Sequence, residues 1–177
     1  NPELLNLTIS SNQSSGYGGG ISVEGLPGNS IIHKFDRLNI SENISGNAGG
    51  GIYLYISTVD LSKSFIINNS ALNKGGGLSI EWDSELNIQN SFLNGNTLTQ
   101  GDQGTNIYIG KSDQLIGSTE KFHAININVI DTLSSAISMY SNGLIKPLLI
   151  NSIVMGKANA AVPTYNFDLN YSYCDDC

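Results

Sequence analysis

Apolar and polar positions alternate along the chain in short bursts, broken by stretches rich in Gly and Asn: Ile21-Ser22-Val23, Ile52-Tyr53-Leu54 and Leu78-Ser79-Ile80 are the clearest. A period of two is that of a strand with one face buried. Each of these bursts follows a glycine triplet, Gly18-Gly19-Gly20, Gly49-Gly50-Gly51 and Gly75-Gly76-Gly77, at spacings of 31 and 26 residues. The pattern continues without triplets through Asn106–Ile109, Ala136–Met139 and Asn166–Leu169, at steps of 29, 30 and 30, which makes six registers. Upstream of each lies a second apolar stretch: Leu7–Ser10, Leu38–Ser41, Phe65–Asn68, Leu86–Gln89, Ile125–Asn128 and Leu149–Ser152. One further echo, Asn90–Gly95 against Asn151–Gly156, is offset by 61 residues, or two units.

Strands this short cannot bury their apolar face alone, so the units must stack on one another. Helical repeats of similar period would need longer stretches of 3.6 periodicity, which the glycine triplets and β-branched residues exclude. The sequence therefore predicts an all-β, right-handed parallel β-helix of about six coils spanning residues 1–173 as a single domain, with residues 174–177 as a tail. At ~4.8 Å per coil the rod would be roughly 29 Å long. The nine triplet glycines are expected at the corner before each strand, where positive φ or close backbone approach excludes a Cβ. Asn tolerates the same left-handed region, and in register its amides can form a ladder. Because the pattern begins and ends in mid-unit, the expectation is a segment of a longer chain or a fibre subunit, with like subunits or further coils stacking at the open ends.

Composition adjusts this picture in three ways. Charged residues make up only 13% of the chain, so solubility rests on its 22 Asn and 23 Ser. A net charge of −7 with one arginine lacks the basic footprint of nucleic-acid binding. No apolar run is long enough for a transmembrane helix, so no membrane insertion by this segment is expected.

The run Phe65-Ile66-Ile67-Asn68-Asn69-Ser70-Ala71 leading to Gly75-Gly76-Gly77-Leu78 resembles right-handed parallel β-helix repeats of the pectate-lyase-like superfamily, notably those of polymorphic outer-membrane proteins and autotransporter passengers. The closing stretches Leu149–Gly156 and Tyr165–Ser172 are similar to the last coils of secreted bacterial β-helix proteins. The resemblance implies an extracellular or cell-surface location. The families it points to contain adhesins, passenger domains, fibres and sugar-cleaving enzymes alike, so it does not choose among those roles.

The chemistry on offer is sparse. Acids such as Asp60, Glu85 and Asp168 do not recur on one face at the coil period, so a glycosidase's carboxylate pair is not legible. Glu81-Trp82-Asp83 is the candidate carbohydrate contact, because the single Trp could stack on a sugar between two acceptors; the plainer alternative is a turn whose Trp packs on the neighbouring coil. His33 and His123, far apart and without Cys, read as solvated loop histidines, and neither a metal nor any other cofactor is expected. Cys174 and Cys177 are a disulfide candidate. Sequons place candidate glycosylation at Asn6, Asn12, Asn39, Asn43, Asn68 and Asn170. The expected function is a non-enzymatic structural or adhesive module, with surface glycans or neighbouring-cell proteins as candidate partners and variable loops at Glu24–Asn29 and Thr99–Gly104. The alternative is a polysaccharide-binding or polysaccharide-cleaving domain.

Overall fold

The alternation read from the sequence is realised as a stack of windings in which every strand pairs in parallel with segments one winding away. The computed structural model describes residues 1–28, 31–110, 121–140, 148–160, 168–170 and 173–174. The first face is a seven-stranded sheet of Glu3–Leu5, Ile32–Asp36, Thr58–Ser62, Glu85–Gln89, Lys121–Ile125, Leu148–Ile150 and Asp168–Asn170. The second face stacks Thr8–Ser10, Asn39–Ser41, Phe65–Ile67 and Phe92–Asn94. A short third face holds Gln13–Ser14, Ile44–Ser45, Ser70–Ala71 and Thr97–Leu98. The fourth, led by glycines, holds Ile21–Glu24, Ile52–Tyr55, Leu78–Glu81 and Ile107–Gly110. The long strand Asn128–Tyr140 then serves the second face through Asn128 and the fourth through Ile137, joining the two into one sheet.

The glycine-led registers fall where the repeat placed them as far as Ile107↔Ile137. The sixth does not. Ala158–Ala160 stacks on Ile137–Met139, and Asp168–Asn170 joins the first face against Leu148–Ile150. The upstream stretches also divide: the first three lie on the second face, but Leu86–Gln89 lies on the first, its expected place taken by Phe92–Asn94. Two different strands of one winding share the same apolar-x-apolar pattern, and only the pairing tells them apart. The 61-residue echo is a true two-winding offset, since Phe92 stacks on Asn128 and Asn128 on Ile153. Cys174 pairs in register with Val154, so the winding runs into the segment read as tail.

Variation in winding length is confined to corners. Seven residues connect Glu24 to Ile32, but two connect Tyr55 to Thr58, which accounts for the whole difference between the 31- and 26-residue windings. The fourth winding is longer at the corner after Leu98, where the Thr99–Gly104 loop lies. Both expected surface loops are thus insertions that leave the strands in register. Leu26, at the tip of the first, is 72% exposed.

Inward residues form one continuous core from Val23 through Leu54, Ile66, Leu93 and Ile109 to Val154. Burying each such side chain stabilises the fold by about 1.5–3 kcal/mol. Between the first and second faces the chain turns through a column of left-handed residues, Asn6, Arg37, Lys63, Asn90, Asn126 and Asn151. Four are Asn, as expected for this region, while Arg37 and Lys63 occupy the same seat. Each triplet glycine has its own task. Gly49 has φ +67°, a Cβ on Gly50 would overlap the carbonyl oxygens of Gly76 and Ser70, and one on Gly51 would lie 2.7 Å from the Gly77 oxygen and 3.1 Å from Asn69 Nδ2. In the fourth winding Gly104 keeps the positive φ, whereas Thr105 and Asn106 replace the other two.

A candidate groove on the first face

On the outer side of the first face, parallel pairing lines up one residue per winding. One column reads Glu3, Lys34, Asp60, Asn87, His123 and Leu148. Beside it runs Leu5, Asp36, Ser62, Gln89, Ile125 and Ile150. Where the two pass from Asp60 to Leu148 they border a groove of about 430 Å³. The groove is the candidate functional site.

Its floor is tied together by hydrogen bonds. Asn87 Nδ2 donates to Asp60 Oδ1 at 2.9 Å and to Glu85 Oε1 at 3.4 Å, which turns its oxygen toward His123 Nδ1 at 3.0 Å. An amide oxygen only accepts, so Nδ1 is the donor in this contact and Nε2 is left to face the groove. The carboxylates Asp60 and Glu85 converge on one amide instead of flanking an open space, and Ser62 Oγ donates to Asp36 Oδ1 at 2.7 Å. These contacts orient side chains; they do not assemble a nucleophile with its base.

Charge on this face is balanced. Lys34 pairs with Glu3, Arg37 and Lys63 with Asp36, and Lys121 with Glu85. With Asp60 this makes, among the described side chains of this face, four cations against four carboxylates. The cations are half-exposed, and each pair contributes only ~0–1 kcal/mol to stability.

The Glu81-Trp82-Asp83 corner has a different character. Glu81 is 2% exposed and accepts from Ser79 Oγ at 2.8 Å. Trp82 is half-buried and packs at a tilt on Tyr55 of the preceding winding, with ring centroids 5.8 Å apart. Of the three side chains only Asp83 is exposed.

Both histidines lie on strands of the first face and not in loops, because strand alternation, not solvation, sets their places: His33 in Ile32–Asp36 and His123 in Lys121–Ile125. Among the described residues no group of His, Cys, Asp and Glu could hold a metal ion. Nor, among the described residues, is any helix long and apolar enough to cross a membrane.

The sequon asparagines separate by burial. Asn6, Asn12, Asn39 and Asn68 are exposed, whereas Asn43 is fully buried in a ladder. Asn12 Nδ2 donates to Asn43 Oδ1, Asn43 Nδ2 to Asn69 Oδ1, and Asn69 Nδ2 to Asn96 Oδ1, at 2.9, 3.0 and 3.0 Å. The same nitrogen of Asn43 donates to the Ile9 carbonyl, so the folded chain leaves that amide no room for a glycan. Asn170 lies on a strand of the first face, and Cys177, the second half of the disulfide candidate, lies outside the described residues.

Sequence reasoning missed the groove because Asp60, Asn87 and His123 are 27 and 36 positions apart, on strands that the repeat either left out or, for Leu86–Gln89, assigned to another face. The signal that could have found them is the constant offset from the left-handed corner: Asp60, Asn87 and His123 each precede Lys63, Asn90 and Asn126 by three residues.

Residues 6–24 match the family model of the Chlamydia polymorphic membrane protein repeat. That span holds one strand each of the second, third and fourth faces, with ladder residue Asn12 and the first glycine triplet between them. No curated protein and no solved structure matches the chain. The chain is a parallel β-solenoid protein whose repeat is similar to that of the polymorphic membrane proteins.

Proposed function

We propose that this chain is a non-catalytic β-solenoid module of a cell-surface or secreted protein, acting as a rigid spacer that presents its outer faces and corner loops. The observation that carries this reading is the match of residues 6–24 to a membrane-protein repeat, made by the segment that builds the corner and stacking face of a winding. The solenoid supports it physically: one core runs through the stack, while insertions at the corners change the surface without moving the strands. Further windings, from the same polypeptide or from like subunits, would extend the rod by the same parallel pairing.

Two measurements test the reading. Protease shaving of intact source cells should remove the epitope carried by the Glu24–Gly28 loop, and retention of that epitope in the cytoplasm would overturn the surface assignment. Incubation of the purified chain with polygalacturonate and with neutral polysaccharides should release no unsaturated products and no new reducing ends. Their appearance would make the protein an enzyme.

A further inference from the structure

We infer that the first-face groove binds a neutral, linear oligosaccharide, with Asp60, His123 and Gln89 hydrogen-bonding its hydroxyls and Ile125 and Leu148 receiving a C–H face. The inference deepens the surface-display reading and rests on it, since display at the surface is what would bring the groove to an extracellular glycan.

The ligand class follows from three properties of the groove. First, its polar groups arrive in register, one per winding, in two parallel columns: Asp60, Asn87 and His123 in one, Ser62 and Gln89 in the other. Windings repeat at about 4.8 Å. A ligand that uses such a row must itself carry polar groups at a regular interval, which describes an oligomer of similar units lying along the rod.

Second, the groups on offer suit hydroxyls. A hydroxyl both donates and accepts, and the row mixes a carboxylate acceptor (Asp60), a ring nitrogen that Asn87 orients through the opposite nitrogen (His123 Nε2), and an exposed amide with both capacities (Gln89). Asn87 is held between Asp60 and His123 and orients the two; it is a positioning residue first. Ile125, 39% exposed, and Leu148 supply apolar surface at one end of the row. A mostly apolar recess with a few convergent polar groups is the usual form of a small-molecule site.

Third, the charge excludes the acidic glycans. Among the described residues, the cations near the groove, Lys34, Arg37, Lys63 and Lys121, are each set against a carboxylate, and Asp60 places a negative charge on the floor. A uronate or sulfated sugar would face like charge without a free cation to receive it.

The test is a two-dimensional NMR titration of the whole purified chain with maltohexaose, cellohexaose, chitohexaose and, as the acidic arm, hexagalacturonate. At least one neutral oligosaccharide should give saturable shifts at the amides of Asn87, Gln89 and His123, and hexagalacturonate should give none. Gln89→Ala and Ile125→Ser alter exposed side chains that the core does not need, and each should weaken binding by roughly fivefold or more, the equivalent of one lost hydrogen bond or apolar contact. Silence from all three neutral probes overturns the inference. So does preference for hexagalacturonate, or a response confined to Tyr55 and Trp82. Because the titration reports nothing about cellular location, its failure removes the glycan and leaves the surface reading standing, whereas a cytoplasmic location removes that reading whatever the titration shows.

Discussion

Tyr53 points outward from the glycine-led face, where alternation would leave it in water, yet only 4% of it is exposed. Its ring lies 4.5 Å from that of Tyr17 at a 32° tilt. Burial pushes its hydroxyl well above the ordinary tyrosine value near 10, and Glu81, Tyr17 and Glu24 add to the shift. A pKa raised in the folded state leaves stability untouched below the unfolded value, because both states then hold the proton; above it the unfolded chain ionises while the native residue does not, so stability falls as pH rises. The urea midpoint should therefore not move on account of Tyr53 up to about pH 10 and should drop beyond it. In Tyr53→Phe that part of the alkaline loss should vanish, as urea titrations at stepped pH would show.

At the scale of an element, the unit of stability is the column and not the strand. A strand of three residues makes few hydrogen bonds, but a ladder residue such as Asn69 satisfies several groups at once. Its Oδ1 accepts from Asn43 Nδ2 and from the Asn43 backbone N–H, and its Nδ2 donates to the Ile40 carbonyl. Asn69→Ala would orphan all of these in a buried setting, and each unsatisfied group costs about 1–3 kcal/mol. The expected loss is therefore about 3 kcal/mol or more in chemical denaturation. The neighbour Asn68 is exposed and left-handed, with φ 56°. Asn68→Ala should cost only about 1–2 kcal/mol, the backbone penalty alone. Equal effects at the two positions would refute the ladder as the source. Serines repeat the device: the Leu38 N–H donates to Ser64 Oγ and the Ser64 N–H to Ser91 Oγ, at 3.0 and 3.1 Å.

At the scale of the molecule, each winding touches only its neighbours, so local stability should depend on position in the stack. Ile66 and Leu78 are fully buried and belong to strands paired on both sides, whereas Thr8–Ser10 pairs on one side only in this chain. Native-state hydrogen exchange should find the amides of Ile66 and Leu78 slowest and those of the Thr8–Ser10 strand markedly faster. Uniform protection from end to end would mean one all-or-none unit instead of a graded stack. The same one-dimensional order explains why seven residues at the corner after Glu24 do not disturb the pairing of Ile21–Glu24 with Ile52–Tyr55. Loop length there adds only a slowly growing closure entropy.

How much was legible follows from what each signal depends on. Alternation and the glycine triplets are local, and they determined the all-β stacked architecture, the registers of the fourth face as far as Ile137, and the use of Asn at corners and in a ladder. The first face was not legible as a separate stack, because Leu86–Gln89 has the same pattern as Phe65–Ile67 and only pairing shows that they lie on different sides. The groove depends on that assignment, so Asp60, Asn87 and His123 remained unrelated residues until the windings placed them in one column. Which asparagines are buried was likewise decided by the fold: Asn43 and Asn39 carry the same sequon, but the inward turn of the chain closes over one and leaves the other in water. A sequence records a residue's own preference, while neighbours a full winding away are supplied only by the stack.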